Sequence, residues 1–193
     1  MSEAVARPDS GQLKKELLRE NERKRYSSTM RNTIYILIVV AAIAVLLSAY
    51  LISVLRVEGI SMAPNLEDRD LVVAIHTKQF DPGEVVGFYY NNRILLKRVI
   101  GSPGDVVDMD SEGNLSVNGV VLEEAYLTEK DYGMYTDIKF PYQVPDKRFF
   151  VVGDNRKESI DSRSSAIGTI TSDQVVGKVV FRVWPLKGFG GIN

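Results

Sequence analysis

The residues best suited to chemistry fall in three stretches. The first is Gly59-Ile60-Ser61-Met62-Ala63-Pro64. Gly59 frees the backbone just before the serine and Pro64 stiffens it just after. Ser61 is a candidate nucleophile if a base lies beside it, although an ordinary turn serine looks the same. The second stretch is Ile94-Leu95-Leu96-Lys97-Arg98-Val99-Ile100, an almost wholly apolar strand. Neighbours alternate faces in a strand, so Lys97 and Arg98 point opposite ways, one towards the interior and one towards solvent. Arginine does not give up its proton. A lysine in apolar surroundings does so more readily, and lowering its pKa from about 10.4 to near 8 costs the ammonium form roughly 3 kcal/mol. Such a neutral amine can act as general base towards a serine hydroxyl. An edge-strand lysine that blocks aggregation is the plain alternative. The third stretch, Gly153 to Arg163, is dense in polar groups and follows the apolar run Phe149 to Val152. Asp161 and Arg163 can pair, and Asp154 and Asn155 can bond local backbone. A solvated loop held by its own side chains would explain Asp154 and Arg156 equally well.

Composition removes competing chemistries. The chain has 193 residues, no cysteine, one histidine and a net charge of -1. Thiol catalysis, disulfides and cysteine-ligated zinc are excluded. A protein-ligated zinc site would have to use His76 with carboxylates, and a Ser-His-Asp triad would have to use it too; no metal and no cofactor is expected. The balanced charge points away from nucleic acid.

These stretches need a scaffold. Residues 1–32 read as a charged N-terminal tail, disordered over Met1 to Ser10 and able to form a solvated helix over Gln12 to Tyr26. Ile34 to Leu55 carries no charge. As a helix it is about 33 Å long, enough for a hydrocarbon core of roughly 30 Å. Residues 33–55 are therefore expected to be a transmembrane helix, with Tyr35 and Tyr50 towards its ends. A cleaved signal peptide fits poorly, since the run is too long and starts too late. Lys14, Lys15, Arg19, Arg23, Lys24, Arg25 and Arg31 precede the run, while only Arg56 directly follows it. The N-terminus is then expected in the cytoplasm and residues 56–193 outside it.

The exterior part reads as β. Leu71–Ile75, Phe149–Val152 and Val175–Trp184 are expected strands. Val85–Tyr90 and Ile94–Ile100, joined by Asn91-Asn92, are an expected hairpin, and Leu115–Val121 with Asn118-Gly119 is another. Short strands with frequent turns predict an antiparallel sandwich or barrel, with a small β insertion at about 106–147 that is assigned no chemistry.

Behind an apolar anchor, these three stretches in this order resemble the bacterial type I signal peptidases, membrane-bound serine proteases with a Ser-Lys dyad. The match rests on Gly59 to Pro64, on Leu96-Lys97-Arg98-Val99-Ile100-Gly101-Ser102-Pro103-Gly104-Asp105, on Gly153 to Arg163, and on Gly190-Gly191-Ile192. The resemblance implies that Ser61 attacks the scissile carbonyl with Lys97 as base. It implies that Ser159 hydrogen-bonds and orients the lysine, that Asp161 and Arg163 hold the loop, and that Gly153 packs beside the dyad. It further implies a membrane-bound endopeptidase that removes signal peptides from exported preproteins, cleaving after small residues. Val57, Met62, Leu66, Leu95 and Leu96 are then expected as walls of the substrate pockets, with plain core packing as their other reading. The expected partners are signal peptides and the lipid bilayer.

Two positions depart from the family pattern. Some members place a second oxyanion donor, a serine hydroxyl, where this chain has Gly59. Asn65 stands where threonine is usual, and local hydrogen bonding is expected of it. Two other readings compete. A self-cleaving repressor-type Ser-Lys protease is opposed by Ile34 to Leu55. A membrane-anchored β domain that only binds peptides should lack the serine or the lysine.

Overall fold

The computed structural model describes residues 10–192, so the disorder predicted over Met1 to Ser10 lies outside them except at Ser10, which is helical. The chain divides into two units, Met1–Ala49 and Tyr50–Asn193. A single helix, α1, runs over Ser10–Leu51. Its apolar part from Ile34 to Leu51 is about 27 Å long at 1.5 Å per residue, and it presents exposed side chains such as Ile36, Leu37 and Val45. This helix is long and apolar enough to cross a membrane. It ends four residues earlier than expected. Ile52–Leu55 belong instead to strand β1 (Ile52–Arg56), because Leu55 turns into the core of the β unit. The charged stretch Gln12 to Tyr26 is helical, continuous with the apolar part.

The second unit is antiparallel β throughout its described pairings. Its strands are β2 (Leu71–Ile75), β3 (Val85–Tyr90), β4 (Arg93–Gly101), β5 (Val106–Met109), β6 (Leu115–Val117), β7 (Val120–Val121), β8 (Tyr142–Gln143), β9 (Arg148–Val152), β10 (Ile170–Thr171), β11 (Val175–Trp184) and β12 (Gly190–Gly191). One sheet has the order β1-β2-β11-β3-β4-β9-β10, with β12 beside β11. The insertion forms a second sheet, β7-β6-β5-β8. Both expected hairpins turn on residues with positive φ, Asn91 and Asn92 in one, Asn118 and Gly119 in the other. That is the geometry that matches the twist of two-residue hairpins.

Strand β4 lies between β3 and β9, so Lys97 is not on a sheet edge. It pairs with Val86, and Arg98 with Val152. Leu95 and Val99 pack with Val86, Phe88 and Val151 on one side of this sheet. By strand alternation Lys97 shares their face. On the other side Leu96 joins Leu55, Val57, Met62, Leu66 and Val72. The second sheet is fastened by a third cluster in which Ile100, Phe150 and Val152 meet Val107, Met109 and Leu115. Phe150 is wholly buried and its ring meets those of Phe140 and Tyr142. Phe150→Ala should therefore cost about 3–5 kcal/mol. A chemical denaturation midpoint equal to that of the parent would show that the two sheets do not depend on this contact.

Candidate active site

Ser61 and Lys97 meet although their strands and turns are far apart in sequence. Lys97 Nζ lies 2.7 Å from Ser61 Oγ, as donor to it. Lys97 is only 2% exposed. Burial is the largest influence on its amine, lowering the pKa to about 8. Asp161 and Asp154 pull it upward and Arg163 pushes it down, and burial wins.

The carboxylates do not win because each already has a partner. Arg98, expected to face solvent if Lys97 faced inward, is 1% exposed. Both faces of β4 are covered, so alternation separates the two side chains without exposing either. Arg98 makes a fork with Asp154, Nε to Oδ1 at 2.9 Å and Nη2 to Oδ2 at 2.8 Å. Asp154 and Arg156 are buried rather than solvated. Arg156 donates to both oxygens of Glu124, at 3.2 and 2.5 Å, and to Gly153 O. Glu124 outweighs burial and raises the Arg156 pKa. Arg163 donates through Nε to Asp161 Oδ1 at 2.9 Å and through Nη2 to Oδ2 at 3.0 Å. Burial works to raise the Asp161 carboxyl, but Arg163 and the Gly153 N–H hold it below the ordinary carboxylate value. Asp70, the remaining buried carboxylate among the described residues, accepts from Arg182. Lys97 is thus the one buried ionisable side chain among the described residues without an oppositely charged hydrogen-bond partner.

The loop from Gly153 grips the backbone of the serine turn. Asn155 N–H donates to Ser61 O at 3.0 Å, and Asn155 Nδ2 donates to Ile60 O at 3.3 Å. A Cβ on Gly153 would stand 2.2 Å from Ser159 Oγ and 2.5 Å from Ser61 O, so no side chain fits there. Ser159 Oγ is buried next to this glycine; it meets no hydrogen-bond geometry among the described residues, yet lies close enough to Asp161 to help hold that carboxyl down. The expected bond to Lys97 is not made.

An open cleft of about 630 Å³ reaches the dyad, lined by Gly59, Ile60, Ser61, Leu95, Lys97 and Ile160 among others. Of the five expected wall residues, Leu95 alone lines it. Val57, Met62, Leu66 and Leu96 lie in the hydrophobic core, because the face of β4 that carries Leu96 is opposite to the one that carries Lys97. The Gly59 backbone has φ +81°, and its N–H donates to Asp68 Oδ1 at 2.9 Å. That N–H is thereby taken, and the Ser61 N–H has no hydrogen-bond partner among the described residues. His76 is engaged elsewhere, Nδ1 with Tyr50 O and Nε2 with Ser53 Oγ, both at 2.7 Å. Asn65 does not bond locally as expected. Its Nδ2 donates to Tyr126 O and to Asp154 Oδ2.

A β unit that aims a hydroxyl at a dry lysine in an open cleft has the parts of a serine hydrolase that needs no histidine. Residues 30–184 match the family described as signal peptidase, peptidase S26. A signal peptidase I of Bacillus amyloliquefaciens is 34% identical over 178 residues, covering 87% of this chain and 95% of the relative. A signal peptidase IB of Staphylococcus aureus is 37% identical over 159 residues, covering 72% and 82%. The solved structure of a signal peptidase I from Enterococcus faecalis is 30% identical, covers 52% of this chain and 96% of that one, and superposes with a TM-score of 0.44. The chain belongs to the signal peptidase family, peptidase S26, and is a serine protease.

The buried amine has a cost that depends on pH. The unfolded chain keeps Lys97 protonated up to about 10.5, and the folded one up to about 8. Between these values the unfolded state binds the extra proton, so stability rises with pH, and below 8 the full penalty of about 3 kcal/mol applies. Lys97→Met should be more stable than the parent at pH 7, by up to that amount. The gain should shrink between pH 8 and 10.5. A gain that does not vary with pH would mean that folding does not lower the proton affinity of this amine.

Proposed function

We propose that this protein removes signal peptides from exported preproteins, with Ser61 as nucleophile and Lys97 as general base. The observation that carries the reading is the 2.7 Å approach of Nζ to Oγ at a buried lysine with no carboxylate of its own. With the amine neutral, the hydrogen bond reverses and the Ser61 hydroxyl donates to Nζ. Oγ attacks the scissile carbonyl while Nζ takes its proton. The Ser61 N–H, without a hydrogen-bond partner among the described residues, is the donor available to the developing oxyanion. Gly59 has no side chain to add a second donor, and its own N–H is held by Asp68. The lysine then protonates the leaving amine, which departs as the mature N-terminus and leaves an acyl-serine. Nζ, neutral again, takes a proton from water as water attacks the ester, and returns it to Ser61 Oγ as the Oγ–acyl bond breaks and the acid product leaves.

The substrate lies extended along the cleft between Leu95 and the Gly59–Ser61 turn, where alternate side chains point the same way. Apolar walls such as Leu95 and Ile160 suit small residues at those positions. The N-terminus of α1 faces the cytoplasm, as the basic residues before the span favour, so the β unit works outside, in reach of exported chains.

Ser61→Ala should abolish cleavage of a preprotein while the fold is kept. Lys97→Arg should be as inactive as Lys97→Ala, since a guanidinium does not deprotonate. His76→Ala should cleave normally. Sequencing the new N-terminus released from the preprotein by the purified full-length protein checks all of these. Turnover by Ser61→Ala or by Lys97→Arg would refute the assignment.

A further inference from the structure

The insertion carries no group that touches the cleft, yet one of its residues reaches each of the three chemical stretches. The Tyr126 ring lies under the Arg98 guanidinium, 4.0 Å from its centroid, one residue from the base. Its backbone carbonyl accepts from Asn65 Nδ2 at 2.9 Å, on the turn that carries Ser61. Its hydroxyl donates to Glu124 Oε1 at 2.7 Å and lies 3.4 Å from Arg156 Nη2, on the loop that carries Gly153 and Ser159. Burial, then the neighbouring Glu124 carboxylate, pushes the phenol pKa well up, so the hydroxyl stays a donor. Asn65 Nδ2 also donates to Asp154 Oδ2 at 2.8 Å, which closes the circuit on the Arg98 partner.

We infer that Tyr126 is a positioning residue, which by covering Arg98 and anchoring Asn65 keeps Asp154 matched by its arginine, so that this carboxylate does not hold the proton on Lys97. The inference rests on the reading of Lys97 as base. Asp154 is one of two carboxylates that raise the proton affinity of Lys97. It is held by Arg98 and Asn65, and the ring shields that ion pair from water. Without the ring the fork to Arg98 loosens, and a carboxylate less closely matched by its guanidinium pulls more strongly on the amine. An Asp154 less closely matched by Arg98 favours the ammonium form of Lys97.

The groups around this amine fix the expected sign. Asp161 and Asp154 favour the proton and Arg163 disfavours it. Arg98 and Arg156 face the same network through Asp154, Glu124 and Tyr126. Tyr126 is only half-buried, so leucine can be accommodated. The test is the pH profile of kcat/KM for the full-length protein in detergent, on a fluorogenic peptide that spans a signal-peptide cleavage site. Tyr126→Leu should move the acid limb up by about one pH unit, with about tenfold less activity at pH 7 and near-parent activity by about pH 10. Asn65→Leu should move it the same way, whereas Tyr126→Phe, which keeps the ring, should leave it near the parent's. A loss of equal size at every pH, or an unmoved limb in both leucine variants, overturns the inference. A parent profile with no limb near pH 8 instead removes the reading of Lys97 on which the inference rests.

Discussion

A lysine amine out of water, with no anion assigned to it, is the constraint on which the rest depends. Desolvation alone would be a crude device, because any nearby carboxylate would restore the charge. The described buried carboxylates are all committed to guanidinium groups: Asp154 to Arg98, Glu124 to Arg156, Asp161 to Arg163 and Asp70 to Arg182. A buried pair contributes little net stability, since desolvation offsets most of its attraction, but it strongly resists losing one member. That asymmetry suits a site whose carboxylates must stay where they are. Guanidinium serves here better than a second ammonium would, because its planar fork occupies both oxygens of one carboxylate at once.

The same pairs fix the geometry of the dyad. Ser61 lies on a turn, Lys97 on a central strand and Gly153 on a loop after β9, three separate pieces of chain. Asn155 holds the serine turn by two of its carbonyls. Gly153 lets that loop come closer than any side chain would allow. Asp161 ties the Gly153 N–H to Arg163, which also reaches the carbonyl of Arg156. A misplacement of about 1 Å can cost two orders of magnitude in rate, so a site assembled from three pieces needs this many restraints. Ser159 Oγ stands buried beside Gly153, near the Asp161 carboxylate that it helps to hold down.

Much of this was legible in the sequence, and the limits have physical causes. The hairpins around Asn91-Asn92 and Asn118-Gly119 could be read because turn chemistry is local. Ser61 and Lys97 could be read because a polar residue in an apolar strand, or a serine between glycine and proline, stands out. Strand β1 could not, because Ile52–Leu55 continue the apolar run of the helix and only the pairing with Leu71–Ile75 makes them a strand. Leu66 and Met62 are as apolar as any pocket wall, and composition does not say which side of the sheet they face. Arg98 broke the expectation that its strand has a wet face, since Tyr126 and Asp154 come from 28 and 56 residues away to cover it. Asn65 likewise bonds across 61 and 89 residues. Long-range partners of this kind leave no mark on a local pattern.

The most direct measurement is the titration of Lys97 itself, followed by nitrogen or side-chain carbon NMR of the full-length protein in detergent, with Lys97→Met used to assign the signal. An amine desolvated and denied a carboxylate should change charge at about pH 8, well apart from the exposed lysines. A lysine that keeps its proton until about 10.5 would contradict the mechanism at its root, however close Nζ and Oγ stand.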